Sequence, residues 1–273
     1  MANKKASVDT VRTGIEAITT PGDLLYKGAT DLERLSKGTS GEYLKMGSGN
    51  APEWGGAPAV YTSQQLFRTT FDTTEEPGTR NALTTHTWTK PTDITRIRVF
   101  VTGAGGGGGY YFGGGGGGGG TAIKDMDVTS ITSVTVTCGQ GGELVSSQPA
   151  TDGGTSSFGS YCSATGGQGG GPHGHSNDAY PGNGGIGSGG DLNLPGGSGT
   201  GGMDPGGGNC GGTGGSTYWG GGIRGKHNSS QALNREPASS DPHRRFGQGD
   251  GGYLASGGAG KAPGGIVVVY EYK

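Results

Sequence analysis

The sequence predicts a mainly β protein: a short β-rich N-terminal module followed by a glycine-rich, β-sandwich-like domain with polyglycine II segments. Three observations predict it. Glycine supplies 67 of 273 residues, and 57 of those lie beyond residue 102 while 10 precede it. That glycine field opens on the alternating stretch 94–102, ITRIRVFVT, and closes on 266–272, IVVVYEY. Ahead of it, short apolar pieces are cut by single glycines. Only 29% of the residues are hydrophobic, whereas ordering each backbone unit costs about 1–2 kcal/mol, and most for glycine. Side-chain burial alone does not offset that cost. The chain is therefore either a disordered glycine tract, or backbone hydrogen bonds and neighbouring subunits hold it.

Composition divides the chain into residues 1–60, a Thr-rich polar neck or linker at 61–90, and a glycine-rich domain at 91–273. In the first part Val8, Val11, Ile15 and Ile18 share one helical face, a short self-associating stripe interrupted by Gly14; an irregular arm fits equally. Then come GDLLYKG, DLERLSKG, GEYLKMGSG and APEWGG, each with a few apolar residues. These read as short strands with tight turns at glycine. Such narrow strands cannot bury a core alone, which predicts a homo-oligomer.

The spacing Gly22-Asp23-Leu24-Leu25-Tyr26-Lys27-Gly28, Leu32-x-x-Leu35, Gly38-Thr39-Ser40-Gly41, Leu44 and Pro52-Glu53-Trp54 resembles a module of bacteriophage tail-fibre and related virion proteins. The resemblance covers about 21–55. It implies a β-structured attachment or shaft segment, a trimer, and docking to other tail or baseplate proteins through the N-terminus.

In the glycine-rich domain, strands are expected at 94–102, 121–128, 131–138, 155–164 and 266–272. The first and last should pair, closing the intervening glycines into one unit. The glycine runs lack the strict third-residue period with proline that collagen requires. Without Cβ atoms, extended chains approach closely and exchange backbone hydrogen bonds sideways in several directions, the polyglycine II arrangement. The order of strand, glycine runs and terminal strand over 91–273 also resembles the glycine-rich C-terminal domain of phage fibre tips. That resemblance implies a virion protein, made in the host cytoplasm, that binds bacterial surface polysaccharide or an outer-membrane protein. A purely structural virion component and a glycan depolymerase are the alternatives.

Motifs for chemistry are weak. Gly103-Ala-Gly105-Gly-Gly-Gly108 fits a dinucleotide pattern, but Tyr110, Tyr111, Phe112 and eight glycines follow instead of a helix. Gly225-Lys226 and Gly260-Lys261 lack the Ser or Thr of a phosphate loop. His173 and His175 with Asp178 want a further metal ligand, and solvated loop histidines are the plainer reading. The scattered Asp152, Asp178, Asp191, Asp204 and Asp250 form no recognisable catalytic pair. Cys138, Cys162 and Cys210 read as free thiols. No catalysis, cofactor or metal is expected. A net charge of −2 argues against bulk binding to nucleic acid or anionic membrane, and no apolar run reaches the ~18 residues of a membrane helix.

Islands with few glycines stand out instead: Tyr110, Tyr111 and Phe112; His173, His175 and Tyr180; Tyr218 and Trp219; and 223–246. The last carries Arg224, Lys226, Arg235, Arg244 and Arg245 against Glu236 and Asp241, a local +3. Recognition must come from such side chains at chain reversals. Aromatic rings suit sugar faces and arginines suit acidic groups, which makes these residues receptor-contact candidates. For Tyr110, Tyr111, Phe112 and Trp219, filling gaps in a thin core is the alternative.

Overall fold

The computed structural model describes residues 19–56, 59–68, 83–146, 148–172, 179–202, 210–225, 247–249 and 262–273. The chain forms two units, Met1–Val60 and Tyr61–Lys273. The stripe expected over 8–18 lies outside the described residues.

The first unit contains two hairpins. Strand β1 (Leu24–Lys27) pairs antiparallel with β2 (Leu32–Leu35), and β3 (Glu42–Met46) with β4 (Pro52–Gly56). Asp23 fastens the first hairpin, accepting from the backbone N–H groups of Thr20 and Lys37 and from Arg34 Nε. Desolvation works against its charge, but these donors hold the carboxyl below its ordinary range. In the second, Trp54 donates to Ser36 O and lies over Gly38, where a Cβ would stand 2.7 Å from the indole. Large apolar side chains stay in solvent: Leu24, Tyr43, Leu44 and Met46 are 37, 41, 47 and 65% exposed. No large hydrophobic residue is buried among the described residues of this unit.

The second unit holds β5 (Tyr61–Arg68), β6 (Thr84–Thr89), β7 (Arg96–Thr102), β8 (Thr121–Asp127), β9 (Ser133–Cys138), β10 (Ser156–Phe158), β11 (Cys162–Ala164), β12 (Gly187–Ser188), β13 (Leu192–Leu194) and β14 (Ile266–Tyr272). They form two five-stranded antiparallel sheets, in the orders β12-β11-β10-β9-β6 and β13-β8-β7-β14-β5. The expected pairing of the end strands is present in full register, from Ile266 opposite Thr102 to Tyr272 opposite Arg96. Two expectations need correction. The stretch read as a neck supplies an edge strand to each sheet, because the polar residues of β5 and β6 alternate with half-buried or buried ones that face inward. The strand expected over 155–164 is instead a hairpin, since Gly159 turns at φ 53° between β10 and β11.

The facing sides of the two sheets enclose the core. Ile97, Val99 and Val101 of β7 and Val267 and Val269 of β14 meet Trp88, Val134, Val136 and Phe158. Each such side chain contributes about 1.5–3 kcal/mol when fully buried. Glu271 also points inward and is 1% exposed. Its carboxylate accepts from Trp88 Nε1 at 2.9 Å, Gln65 Nε2 at 2.7 Å and Ser63 Oγ at 2.5 Å, so one acid joins β14 to both edge strands. Cys138 and Cys162 are buried beside this core, and desolvation pushes their thiols up to about 12 and about 11.

Past one end of the sandwich, the connections β7–β8, β9–β10 and β11–β12 continue as out-and-back glycine arms. Residues 113–120 occupy the centre. They receive N–H groups from Gly103, Gly106 and Gly109 and donate from Gly114, Gly117 and Gly120 to Gly171, Gln168 and Thr165. Further bonds run from Gly115 and Gly118 to Thr200 and Gly197, and from Gly182, Gly185, Gly212 and Gly215 into the arm. With Gly119 bonded to Gly247, the central arm has neighbours on six sides. This is a hexagonally packed polyglycine II block, whose three-residue turn aims successive positions at different neighbours.

That geometry explains eight consecutive glycines. A Cβ on Gly114 or Gly117 would lie 2.0 or 1.9 Å from the carbonyl oxygen of Tyr180 or Asn183. On Gly115 or Gly118 it would meet Thr213 O at 2.0 Å or Ser216 O at 2.1 Å, and on Gly116 or Gly119 it would meet Gly106 O at 2.2 Å or Gly103 O at 2.1 Å. None of 113–120 adopts a left-handed φ, so close approach rather than turning demands glycine here. Outer arms keep a side chain at each third position, as in Thr165 and Gln168, Asn183 and Ile186, and Thr213 and Ser216, all exposed.

Candidate functional site at the far end of the glycine block

The out-and-back arms reverse at the end of the block away from the sandwich. Gly109 N–H to Gly114 O closes the first reversal, where Tyr111 and Phe112 take φ of 51° and 55°. Gly171 N–H to Tyr180 O and Gly202 N–H to Ala179 O bring the ends of the next arms to the same level. Gly212 N–H to Gly113 O adds the start of the following arm, and Gly225 packs beside Gly211. The residues flanking 173–178 and 203–209, and the one preceding 226, therefore all sit toward this one end.

The sequence candidates sort clearly. Tyr110, Tyr111, Tyr180 and Arg224 lie toward this end, with Tyr111 and Tyr180 43 and 48% exposed. Phe112 belongs to the same reversal but is buried, with its ring 5.3 Å from that of Tyr111. It fills space beneath the turn and offers no face to a ligand, a correction to its candidate role. Tyr218 and Trp219 are elsewhere. The bridge between Thr217 and Gly220 folds them back to the sandwich end, onto Phe100 at 5.6 and 5.9 Å, and Trp219 Nε1 donates to Thr102 Oγ1. His173, His175, Lys226, Arg235, Arg244 and Arg245 lie outside the described residues.

Among the described residues no three His, Cys, Asp or Glu side chains gather as a metal site. What the far end offers is tyrosine rings and a guanidinium on a base locked by backbone hydrogen bonds. That chemistry suits adhesion to polar surfaces. Sequence reasoning missed the rings Phe100, Tyr270 and Tyr272 as candidates, although alternation places them on the face opposite Val99, Val101, Val267 and Val269.

Fold and block together define a class: an antiparallel β-sandwich whose connections are drawn out into a side-chain-free lattice. Residues 79–272 match a family model described as a glycine-rich domain, and the chain belongs to that family. No curated protein matches it.

Proposed function

We propose that the chain is a bacteriophage tail-fibre protein, a homotrimer that docks to the virion through residues 1–60 and attaches to the bacterial surface with the far end of its glycine block. Its ligand is a surface polysaccharide or an outer-membrane protein, and attachment involves no catalysis. The observation that carries this reading is the convergence of chain reversals on one end of a hydrogen-bonded lattice. Rigid support at a contact surface lowers the ordering cost of binding. The resemblance of 21–55 and 91–273 to fibre modules adds the virion context, and the exposed apolar hairpins of the first unit favour self-association.

Adding purified protein to host cells should block phage adsorption, and replacing 226–246 by a short Gly-Ser loop should abolish the block. A replaced protein that still blocks removes this segment from the contact surface. A full-length protein that never binds host cells overturns the reading in favour of a virion scaffold.

A further inference from the structure

The outer face of the β13-β8-β7-β14-β5 sheet carries a connected set of rings. Val267, Val269 and Glu271 face the core, so Tyr270 and Tyr272 face outward, opposite Gln64 and Tyr61 of β5 and opposite Arg98 and Arg96 of β7. Tyr61 is 53% exposed and its ring lies 6.2 Å from Tyr270 and 6.1 Å from Tyr272. Tyr270 in turn lies 5.6 Å from Phe100. Each ring is braced edge-on or at a tilt by the next, which fixes its orientation before any ligand arrives.

Polar groups stand among these rings. Arg98 grips Asp125 through two hydrogen bonds of 2.8 and 2.7 Å, and Asp127 pairs in register with Arg96. Among the described residues, the Arg96 guanidinium, the Gln64 amide and the hydroxyls of Tyr61, Tyr270 and Tyr272 enter no side-chain hydrogen bond, and Arg96 faces Asp125 and Asp127 through charge alone. Two arginines against two aspartates leave the patch without net charge. Ring faces, unengaged donors and acceptors, and balanced charge together match the alternating apolar faces and hydroxyl edges of a pyranose chain. A lipid or an anionic polymer would call for a continuous apolar patch or a basic one.

We propose that this sheet face is a second contact site, a binding surface for a neutral glycan, with Tyr61, Tyr270 and Tyr272 as stacking rings and Arg96 and Gln64 as hydrogen-bonding groups. The proposal rests on the attachment reading above but concerns a different surface. The test is saturation-transfer NMR on the full-length protein with four neutral hexasaccharides: linear α-glucan, β-glucan, mannan and galactan. The expected result is transfer from aromatic protons to at least one of them. Tyr270→Ala should weaken it by about tenfold, as loss of one contacting ring does, and Ile186→Ala, on an exposed outer arm outside both contact surfaces, should leave it unchanged. Where Tyr270→Ala lowers the melting temperature, Tyr61→Ala on the edge strand makes the same test. Absence of transfer from all four sugars overturns the proposal, as does transfer that survives both variants. A change in sedimenting mass in these variants assigns the face to an interface between copies and overturns it too. Host-cell adsorption separates the two readings: a full-length protein that binds sugar but never cells fails only the attachment reading, and one that binds cells but no sugar fails only this proposal.

Discussion

Replacing Gly117 by alanine tests the packing argument at its centre. The new Cβ would fall 1.9 Å from Asn183 O and 2.4 Å from Asn183 C, so an arm must move by more than an ångström. The bonds at risk are Gly117 N–H to Gln168 O at 2.8 Å and Gly106 N–H to Gly117 O at 2.9 Å. Each backbone hydrogen bond lost costs about 0.5–1.5 kcal/mol net and overpacking about 1–3 kcal/mol, so two broken bonds in a crowded block cost about 2–6 kcal/mol. Alanine also restricts the unfolded chain, which returns only about 0.4–1 kcal/mol. Destabilisation wins. For a unit the size of Tyr61–Lys273, the net loss lowers the melting temperature by about 2–22 °C. Gly221→Ala is the internal control, because a Cβ there meets nothing within 4 Å. Calorimetry of both variants reads the difference. Equal melting temperatures for Gly117→Ala and Gly221→Ala would refute the lattice.

Four further outcomes follow from other parts of the molecule. Glu271→Ala strands the Trp88, Gln65 and Ser63 donors in the core and should cost about 3–5 kcal/mol in urea unfolding, with Glu271→Gln milder. The Cys138 and Cys162 thiols, raised from 9.0 to about 12 and about 11, should resist iodoacetamide at pH 8 until the protein unfolds. Their folded values exceed the unfolded one, so their contribution to stability is intact below pH 9 and is lost progressively above it, which pH-dependent unfolding would register. Finally, the proposed self-association through the exposed apolar hairpins predicts that paired substitutions Leu44→Asp and Met46→Asp on β3 lower the sedimenting mass of the full chain, and an unchanged mass would remove β3 from any such contact.

Much of the scaffold was readable because period-two alternation survives in 94–102 and 266–272, and two strong strands bounding one domain pair readily. The hairpins of the first unit were readable from glycine placement. Other features hid for physical reasons. Strand β5 presents polar residues outward as an edge strand, so its composition matches that of a neck. The hairpin at 156–164 spans too few residues to show two periods. The three-residue recurrence of side chains at Thr165 and Gln168, and at Thr213 and Ser216, went unread among so many glycines, and only the six neighbours of the central arm explain the unbroken run at 113–120. At the candidate site, glycine-poor islands located the reversals, while their end of the block depended on which arms bond together. Nothing local distinguished Phe112, which is buried, from the exposed Tyr111 beside it.

Hydrogen–deuterium exchange of the central arm shows directly whether a tract almost without side chains is a solid. Gly114, Gly115 and 117–120 donate backbone hydrogen bonds of 2.8–3.1 Å within the buried block. Their amides should exchange as slowly as those of β7 and β14, opening only with the whole unit. Exchange of these amides within seconds, while β7 and β14 stay protected, would mean that the glycine arms are a loose tether and not a lattice.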